Sequence, residues 1–137
     1  ETTIIKSGVF RAILPKNHPL TEKKFLTLND LEEEPFLLLE EGVYSEPLAA
    51  FHAAGITPKI KLRVHDDYSI LSMVEQGLGV SILTELVLHK TNYNVVSVPI
   101  EPAIIRTMSI VTKDKNTLPL ASKTFIQYMM KCKENLL

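Results

Sequence analysis

Short apolar runs alternate along this chain with segments whose apolar residues recur at helical spacing. The run at residues 9–14 ends at Pro15, and the uninterrupted run at residues 36–39 is typical of a strand that is covered on both faces. Residues 59–65 alternate polar and apolar side chains, which predicts a strand with one face in solvent. Further strands are predicted at residues 79–83, 95–100 and 104–112.

Helices are predicted between these strands from capping residues and apolar spacing. Ser45 is a good N-cap for a helix over residues 46–54. Asp66 or Asp67 caps a second helix, which Gly77 can end because glycine readily adopts a left-handed backbone. Residues 27–32 offer capping residues for a short acidic helical turn, a short helix is predicted at residues 84–89, and an amphipathic helix at residues 120–137.

Strands that alternate with helices at short spacing predict an α/β fold with a largely parallel central sheet. The chain has 137 residues, of which 45% are hydrophobic and 23% are charged. A chain of this length and composition can form one domain with a real core, without disulfides or a metal.

The charge balance argues against direct DNA binding by this chain. Fifteen basic residues oppose sixteen acidic ones, for a formal net charge of -1, and the basic residues form no cluster. The single cysteine, Cys132, excludes an internal disulfide and indicates a reducing compartment. The chain contains no apolar stretch of membrane-spanning length and shows no signal peptide. It does not begin with Met, and residues 1–5 read like the end of a strand, so we expect a fragment of a longer protein.

Two loops between a strand and a helix start are the candidate ligand-binding segments. In open α/β sheets, ligands bind at the carboxyl ends of strands, beside helix N-termini. Each loop offers a hydroxyl, an aromatic ring and free backbone N–H groups, although capping alone could explain both. The candidate residues are Glu41, Gly42, Val43, Tyr44 and Ser45 in the first loop and Asp67, Tyr68 and Ser69 in the second.

The acids around these loops constrain the ligand. Glu40, Glu41, Asp66 and Asp67 would repel a small carboxylate, although helix N-termini favour anions. Either some of these acids point away from the site, or the ligand carries an amine or another cationic group. Only one of the two adjacent aspartates can cap the helix, so the other is available for a different task.

The sequence shows no catalytic constellation. The four histidines have no metal-ligand spacing such as His-Glu-x-x-His. The chain also lacks the Gly-x-Gly-x-x-Gly and Gly-x-x-x-x-Gly-Lys-Ser/Thr motifs of nucleotide-binding sites and the Gly-x-Ser-x-Gly motif of hydrolases. Glu40 and Glu41 would point apart on a strand and make a poor acid–base pair. We therefore expect no enzymatic activity, no metal and no cofactor.

Five segments resemble, in order and spacing, the effector domain of LysR-type transcription regulators. The most specific is Met-Val-Glu-Gln-Gly-Leu-Gly-Val-Ser-Ile-Leu at residues 73–83, although Thr84 stands where the family usually has proline. The others are the strand and His-Pro-Leu loop at residues 9–20, Leu-Asn-Asp-Leu and Glu-Pro-Phe within residues 28–36, Phe-x-x-x-Gly-x-x-Pro at residues 51–58, and a closing helix at residues 118–129.

The resemblance implies a periplasmic-binding-protein-like (type 2) effector domain that senses a small molecule and controls DNA binding. Residues 7–99 would form a nearly whole second subdomain, while residues 1–6 and 100–137 would supply hinge strands and part of the first. The two candidate loops match stretches that face the ligand cleft in the family. The resemblance also implies a cytoplasmic homo-oligomer that touches DNA only through an N-terminal domain outside this chain. A solute-binding protein of a transport system is the alternative on the same architecture.

Overall fold

The computed structural model describes residues 1–89 and 91–135. Four short 3-10 turns join the strands and helices of this part of the chain: Pro19–Glu22, Leu28–Leu31, Glu85–Leu88 and Lys133–Asn135. The strands are β1 (Thr2–Pro15), β2 (Pro35–Leu39), β3 (Lys59–Val64), β4 (Ser81–Thr84), β5 (Val95–Pro99) and β6 (Ile105–Val111), and the helices are α1 (Glu46–Ala53), α2 (Asp67–Glu75) and α3 (Leu120–Cys132).

Strand β1 is the central strand and runs antiparallel to all of its partners in the described chain. From Phe10 onward it lies between β4 and β5, whereas residues 2–9 pair with β6. The expectation of a largely parallel sheet is wrong for these strands. Although β4 and β5 share one direction, β1 is inserted between them in the opposite direction, and the order of elements along the chain does not reveal such an insertion.

The parallel part of the fold is the unit formed by β2, α1 and β3. Strands β2 and β3 pair in parallel, as a strand–helix–strand connection requires. A parallel bridge between Phe36 and Val80 links β2 to the segment before β4, through Leu37 N to Val80 O at 2.8 Å and Val80 N to Pro35 O at 2.9 Å. Here the predicted α/β class is confirmed.

The core consists of two groups of buried apolar side chains around β1, β2 and β4. The larger group includes Phe36 and Phe51, whose rings meet edge to face at 5.5 Å between centroids. The smaller group packs the apolar face of α2 under Ile13 and Leu37. Ser81 is a fully buried polar residue of β4, and its hydroxyl donates a 2.7 Å hydrogen bond to Leu37 O. Strand β2, which leads into the first candidate loop, is therefore held against β4.

The two glycines between α2 and β4 have separate structural reasons. Gly77 has a φ of +76° and ends the helix in a left-handed conformation. Gly79 lies so close to β2 that an added Cβ would be 2.3 Å from Pro35 O. The Gly-x-Gly pattern in this segment thus serves one helix end and one close backbone approach.

Helix α3 is shorter than predicted and lies at the surface. It ends at Cys132, the 3-10 turn continues to Asn135, and residues 136–137 lie outside the described residues. None of the α3 side chains, all within the described chain, is buried, and Leu120, Phe125 and Tyr128 are among the exposed large apolar residues. No helix in the described part of the chain is long and apolar enough to cross a membrane.

Candidate functional site

The first candidate loop, residues 41–45, connects β2 to α1. Gly42 has a φ of +78°, which turns the chain sharply after the strand. Ser45 is the N-cap of α1, as predicted, and its hydroxyl accepts a 3.3 Å hydrogen bond from Leu48 N. Val43 and Tyr44 lie between these two points with their side chains exposed. The loop therefore presents an apolar and an aromatic side chain to solvent.

In the second candidate loop, the structure decides which aspartate caps the helix. Asp66 is the N-cap of α2, and its Oδ2 accepts 2.7 Å hydrogen bonds from both the backbone N–H and the hydroxyl of Ser69. These hydrogen bonds lower the pKa of Asp66. Tyr68 projects from the first turn of α2 and is exposed. Ser69 is thus occupied in the cap, whereas Asp67 is not.

Asp67 connects the two loops electrostatically. Burial raises the pKa of its carboxyl, and the nearby negative charges of Glu41 and Asp66 raise it further, against the opposing charge of Arg106. Its Oδ1 is buried and has no hydrogen-bond partner among the described residues. The fold therefore brings the first turn of α2 close to the 41–45 loop and leaves one carboxylate oxygen there unsatisfied.

Arg106 lies at the centre of this arrangement. From β6 it donates Nε to Glu46 Oε1 at 2.8 Å, Nη2 to Glu46 Oε2 at 2.9 Å and Nη1 to Glu41 Oε2 at 2.7 Å. Its guanidinium also lies 4.9 Å from the centroid of the Phe10 ring. The ion pair with Glu46 lowers the pKa of that glutamate and raises the pKa of Arg106.

Sequence reasoning missed Arg106 and treated Glu46 only as a first-turn acid. Two signals were available in the sequence. Arg106 is the one charged residue of the predicted strand at residues 104–112, and the acids of the 40–46 region need a counter-charge if they are to lie close together. Neither signal identifies the partner, because the two residues are 60 positions apart.

The acids of the candidate loops differ in how they are neutralised. Glu40 binds Arg63 on β3 at 2.8 Å, whereas Glu41 binds Arg106 on β6, so the adjacent glutamates turn to opposite sides as expected. Asp67 forms no ion pair with any described residue. Of the four acids, Glu40 and Glu41 are thus paired with arginines, Asp66 accepts the hydrogen bonds of a helix cap, and Asp67 has neither kind of partner for its Oδ1.

Two grooves border these residues. One, of about 340 Å³, is lined by all five residues of the 41–45 loop together with β2, α1 and Arg63. The other, of about 610 Å³, runs between α1 and residues 101–105 and shares only Tyr44 with the predicted set. Neither groove is lined by Asp67 or Arg106, but the smaller one is lined by the whole 41–45 loop, so we place the candidate site there. Tyr68 and Ser69 line neither groove.

The chemistry of the arrangement is that of binding. Across residues 1–89 and 91–135, no group of three His, Cys, Asp or Glu side chains could hold a metal ion. Most polar atoms at the site form helix caps and ion pairs that fix the backbone. The two loops also contain two exposed tyrosines, Tyr44 and Tyr68, and one carboxylate oxygen without a partner, Asp67 Oδ1. Such a set can orient a small ligand by stacking and by hydrogen bonds.

Comparison with known proteins defines the class and then the family. Residues 6–132 match the family described as LysR substrate binding domain. The HTH-type transcriptional regulator YvbU of Bacillus subtilis is 28% identical over 125 residues, which is 90% of this chain and 43% of that protein. The transcriptional dual regulator GltC of the same organism is 30% identical over 123 residues, covering 87% of this chain and 41% of that protein. The chain therefore spans less than half the length of these relatives.

Solved structures share the fold. The regulatory domain of Synechocystis CcmR, in complex with 2-PG, superposes with a TM-score of 0.84 at 18% identity, over 99% of this chain and 68% of that one. The LysR family regulator HinK of Pseudomonas aeruginosa gives a TM-score of 0.80 at 24% identity, over 96% of this chain and 48% of that one. The protein is thus an α/β domain of the periplasmic-binding-protein-like (type 2) class. It belongs to the LysR substrate-binding domain family, the effector-sensing part of LysR-type transcription regulators.

Proposed function

We propose that this chain senses a small-molecule effector within a LysR-type regulator and that binding changes how the assembled protein holds promoter DNA. The family match over residues 6–132 carries this proposal. The regulatory domain of CcmR has been solved with 2-PG and the effector-binding domain of QuiR with shikimate, which supports a small organic effector here. Because the curated relatives are regulators, we favour this role over that of a transport solute-binding protein.

The proposed effector site is formed by Glu41, Gly42, Val43, Tyr44, Ser45, Asp67, Tyr68 and Ser69. The electrostatic proximity of Asp67 to Glu41 supports grouping the two loops, and the groove beside the 41–45 loop supports a ligand there. Val43, Tyr44 and Tyr68 would provide exposed apolar and aromatic contact area. Glu41 and Asp67 would accept hydrogen bonds from the effector. This assignment favours an effector with an amine or another donor-rich group over a simple carboxylate.

We further propose the division into residues 7–99, the second subdomain, and residues 1–6 with 100–137, hinge strands and part of the first. The change of partners along β1, from β6 up to Val9 to β4 and β5 from Phe10, supports a boundary in this region. The exposed apolar side chains of α3 and β6 would be covered by the rest of the first subdomain or by a second copy in a homo-oligomer. A cytoplasmic, non-enzymatic regulator that contacts DNA through a separate N-terminal domain completes the proposal.

A thermal-shift screen against amino acids, amines and small organic acids tests this function. A ligand that binds only the folded state at about 100 times its dissociation constant stabilises by about 2.7 kcal/mol, which gives a measurable rise in melting temperature. Tyr44→Ala and Tyr68→Ala should reduce the rise that a hit produces. Tyr128→Ala, an exposed tyrosine on α3, should leave it unchanged. A hit whose shift is the same in all three variants would place the ligand outside the proposed site.

A further inference from the structure

Arg106 occupies a special position in the strand order. It lies at the start of β6, where its backbone is opposite Gly8 of β1. Two residues further along β1, Phe10 leaves β6 and begins to pair with β4. Arg106 therefore belongs to the strand pair formed by residues 2–9 and β6, while its side chain reaches into the part of the fold that carries the 41–45 loop.

The two carboxylates bound by Arg106 are held differently. Glu46 takes two of the guanidinium nitrogens, and its side chain is 21% exposed. Glu41 takes the third nitrogen through a single 2.7 Å contact, and its side chain is 39% exposed. Since a bidentate pair fixes the plane of the guanidinium, Glu46 and the Phe10 ring orient Arg106, and Nη1 is presented to Glu41.

The 41–45 loop has few other contacts that could hold it. Its N-terminal side is fixed by Glu40 N, which donates to Val64 O at 2.8 Å, and its C-terminal side by the Ser45 cap. Between these two points, the ion pair of Glu41 with Arg106 is the one tertiary polar contact of the loop among the described residues. Val43 and Tyr44 are exposed and contribute little packing.

We propose that Arg106 is a positioning residue: from β6, it orders the 41–45 loop through Glu41 and so sets the shape of the effector site. The inference rests on the proposed function for its biological meaning, because the loop matters only if an effector binds there. Glu46 fixes the guanidinium, and Glu41 ties the loop to it. The loop is thereby linked to the strand pair formed by residues 2–9 and β6.

Backbone ¹⁵N relaxation of the 137-residue chain, without any ligand, tests this role. In Glu41→Gln and in Arg106→Gln, we expect the order parameters of Gly42, Val43 and Tyr44 to fall from about 0.8 to about 0.6 or lower. The double variant should show no greater fall than Arg106→Gln alone, because that substitution already removes the partner of Glu41. Glu40→Gln, which breaks the neighbouring ion pair to Arg63, is the matched control and should leave these values unchanged.

The Nε–H resonance of Arg106 separates positioning from a general loss of structure. It should persist in Glu41→Gln, because Glu46 still accepts that proton, and it should broaden or shift in Glu46→Gln. Unchanged loop order in Glu41→Gln, or an equal loss of order in Glu40→Gln, would overturn the inference. Since no ligand is involved, this result is independent of the effector screen: a failed screen would count against the proposed function, and a rigid loop in Glu41→Gln only against the role of Arg106.

Discussion

The guanidinium of Arg106 binds the carboxylate of Glu46 through two hydrogen bonds, which join β6 to the first turn of α1 across 60 residues of sequence. Both side chains are more than two-thirds removed from solvent. Removing one partner would leave the other charge half-buried and incompletely paired, which costs more free energy than the pair itself contributes. This contact is therefore structural as well as part of the candidate site.

Replacing Glu46 with glutamine should lower the free energy of unfolding at pH 7 by about 1–2 kcal/mol. The pKa of Glu46 is lowered in the folded protein, so its stabilising contribution is present above its ordinary value and is lost as pH falls through the folded-state value. Urea unfolding from pH 7 to pH 3 should show the two proteins converging in acid. The control is Glu33→Gln, whose partner Lys59 and whose own side chain are exposed; a loss there equal to that of Glu46→Gln would contradict the prediction.

Asp66 and Asp67 should respond to substitution in opposite directions. The pKa of Asp67 is raised, so its protonated form stabilises the fold at low pH and this contribution is lost as pH rises through the folded-state value. Asp67→Asn should therefore be more stable than the parent at pH 7, by about 0.5 kcal/mol, and should lose that advantage in acid. Asp66→Ala removes the N-cap of α2 and should lower the free energy of unfolding at pH 7. Melting curves across pH that show Asp67→Asn destabilised at neutral pH would refute the proposed desolvation of its carboxyl.

Substitution of Ser81 tests the buried hydrogen bond that holds β4 to β2, the strand that leads into the 41–45 loop. Its hydroxyl, fully buried in β4, donates to Leu37 O in β2 at 2.7 Å. Ser81→Ala leaves that carbonyl without this donor and should cost about 1–2 kcal/mol in urea unfolding. Ser72→Ala, on the exposed face of α2, should change stability by less than about 0.5 kcal/mol. Equal costs in the two variants would mean that the hydroxyl contributes nothing to holding β2 against β4.

The parts of this molecule that the sequence predicted correctly are local. Ser45 and the cap of α2 follow from helix-start chemistry, and Gly77 from the need for a left-handed residue at a helix end. The antiparallel course of β1 and the partners of Arg106 depend on long-range contacts, for which neither spacing nor periodicity carries a signal. The length of α3 was overestimated: the helix ends at Cys132 and continues as a 3-10 turn over the polar residues 133–135, and no glycine or proline marks that end in the sequence.

Gly79 is required because neighbouring atoms lie close to its Cα, whereas Gly55 is required because of its backbone conformation. We therefore predict that alanine lowers the free energy of unfolding much more at Gly79 than at Gly55. An added Cβ at Gly79 would lie 2.3 Å from Pro35 O and 3.3 Å from Leu37 Cγ, and neither the strand backbone nor the buried leucine can move away freely. Gly79→Ala should therefore cost more than about 3 kcal/mol or prevent soluble expression. Gly55 has a φ of +71° but open space around its Cα, so Gly55→Ala should cost only about 1 kcal/mol. Soluble yield and thermal melts by circular dichroism measure both.

Since β2 leads directly into the 41–45 loop, a second-site change that restores folding to Gly79→Ala by shifting β2 should also alter the response to any effector found in the screen. An unaltered response in such a rescued variant would mean that the effector contacts neither β2 nor the loop that follows it.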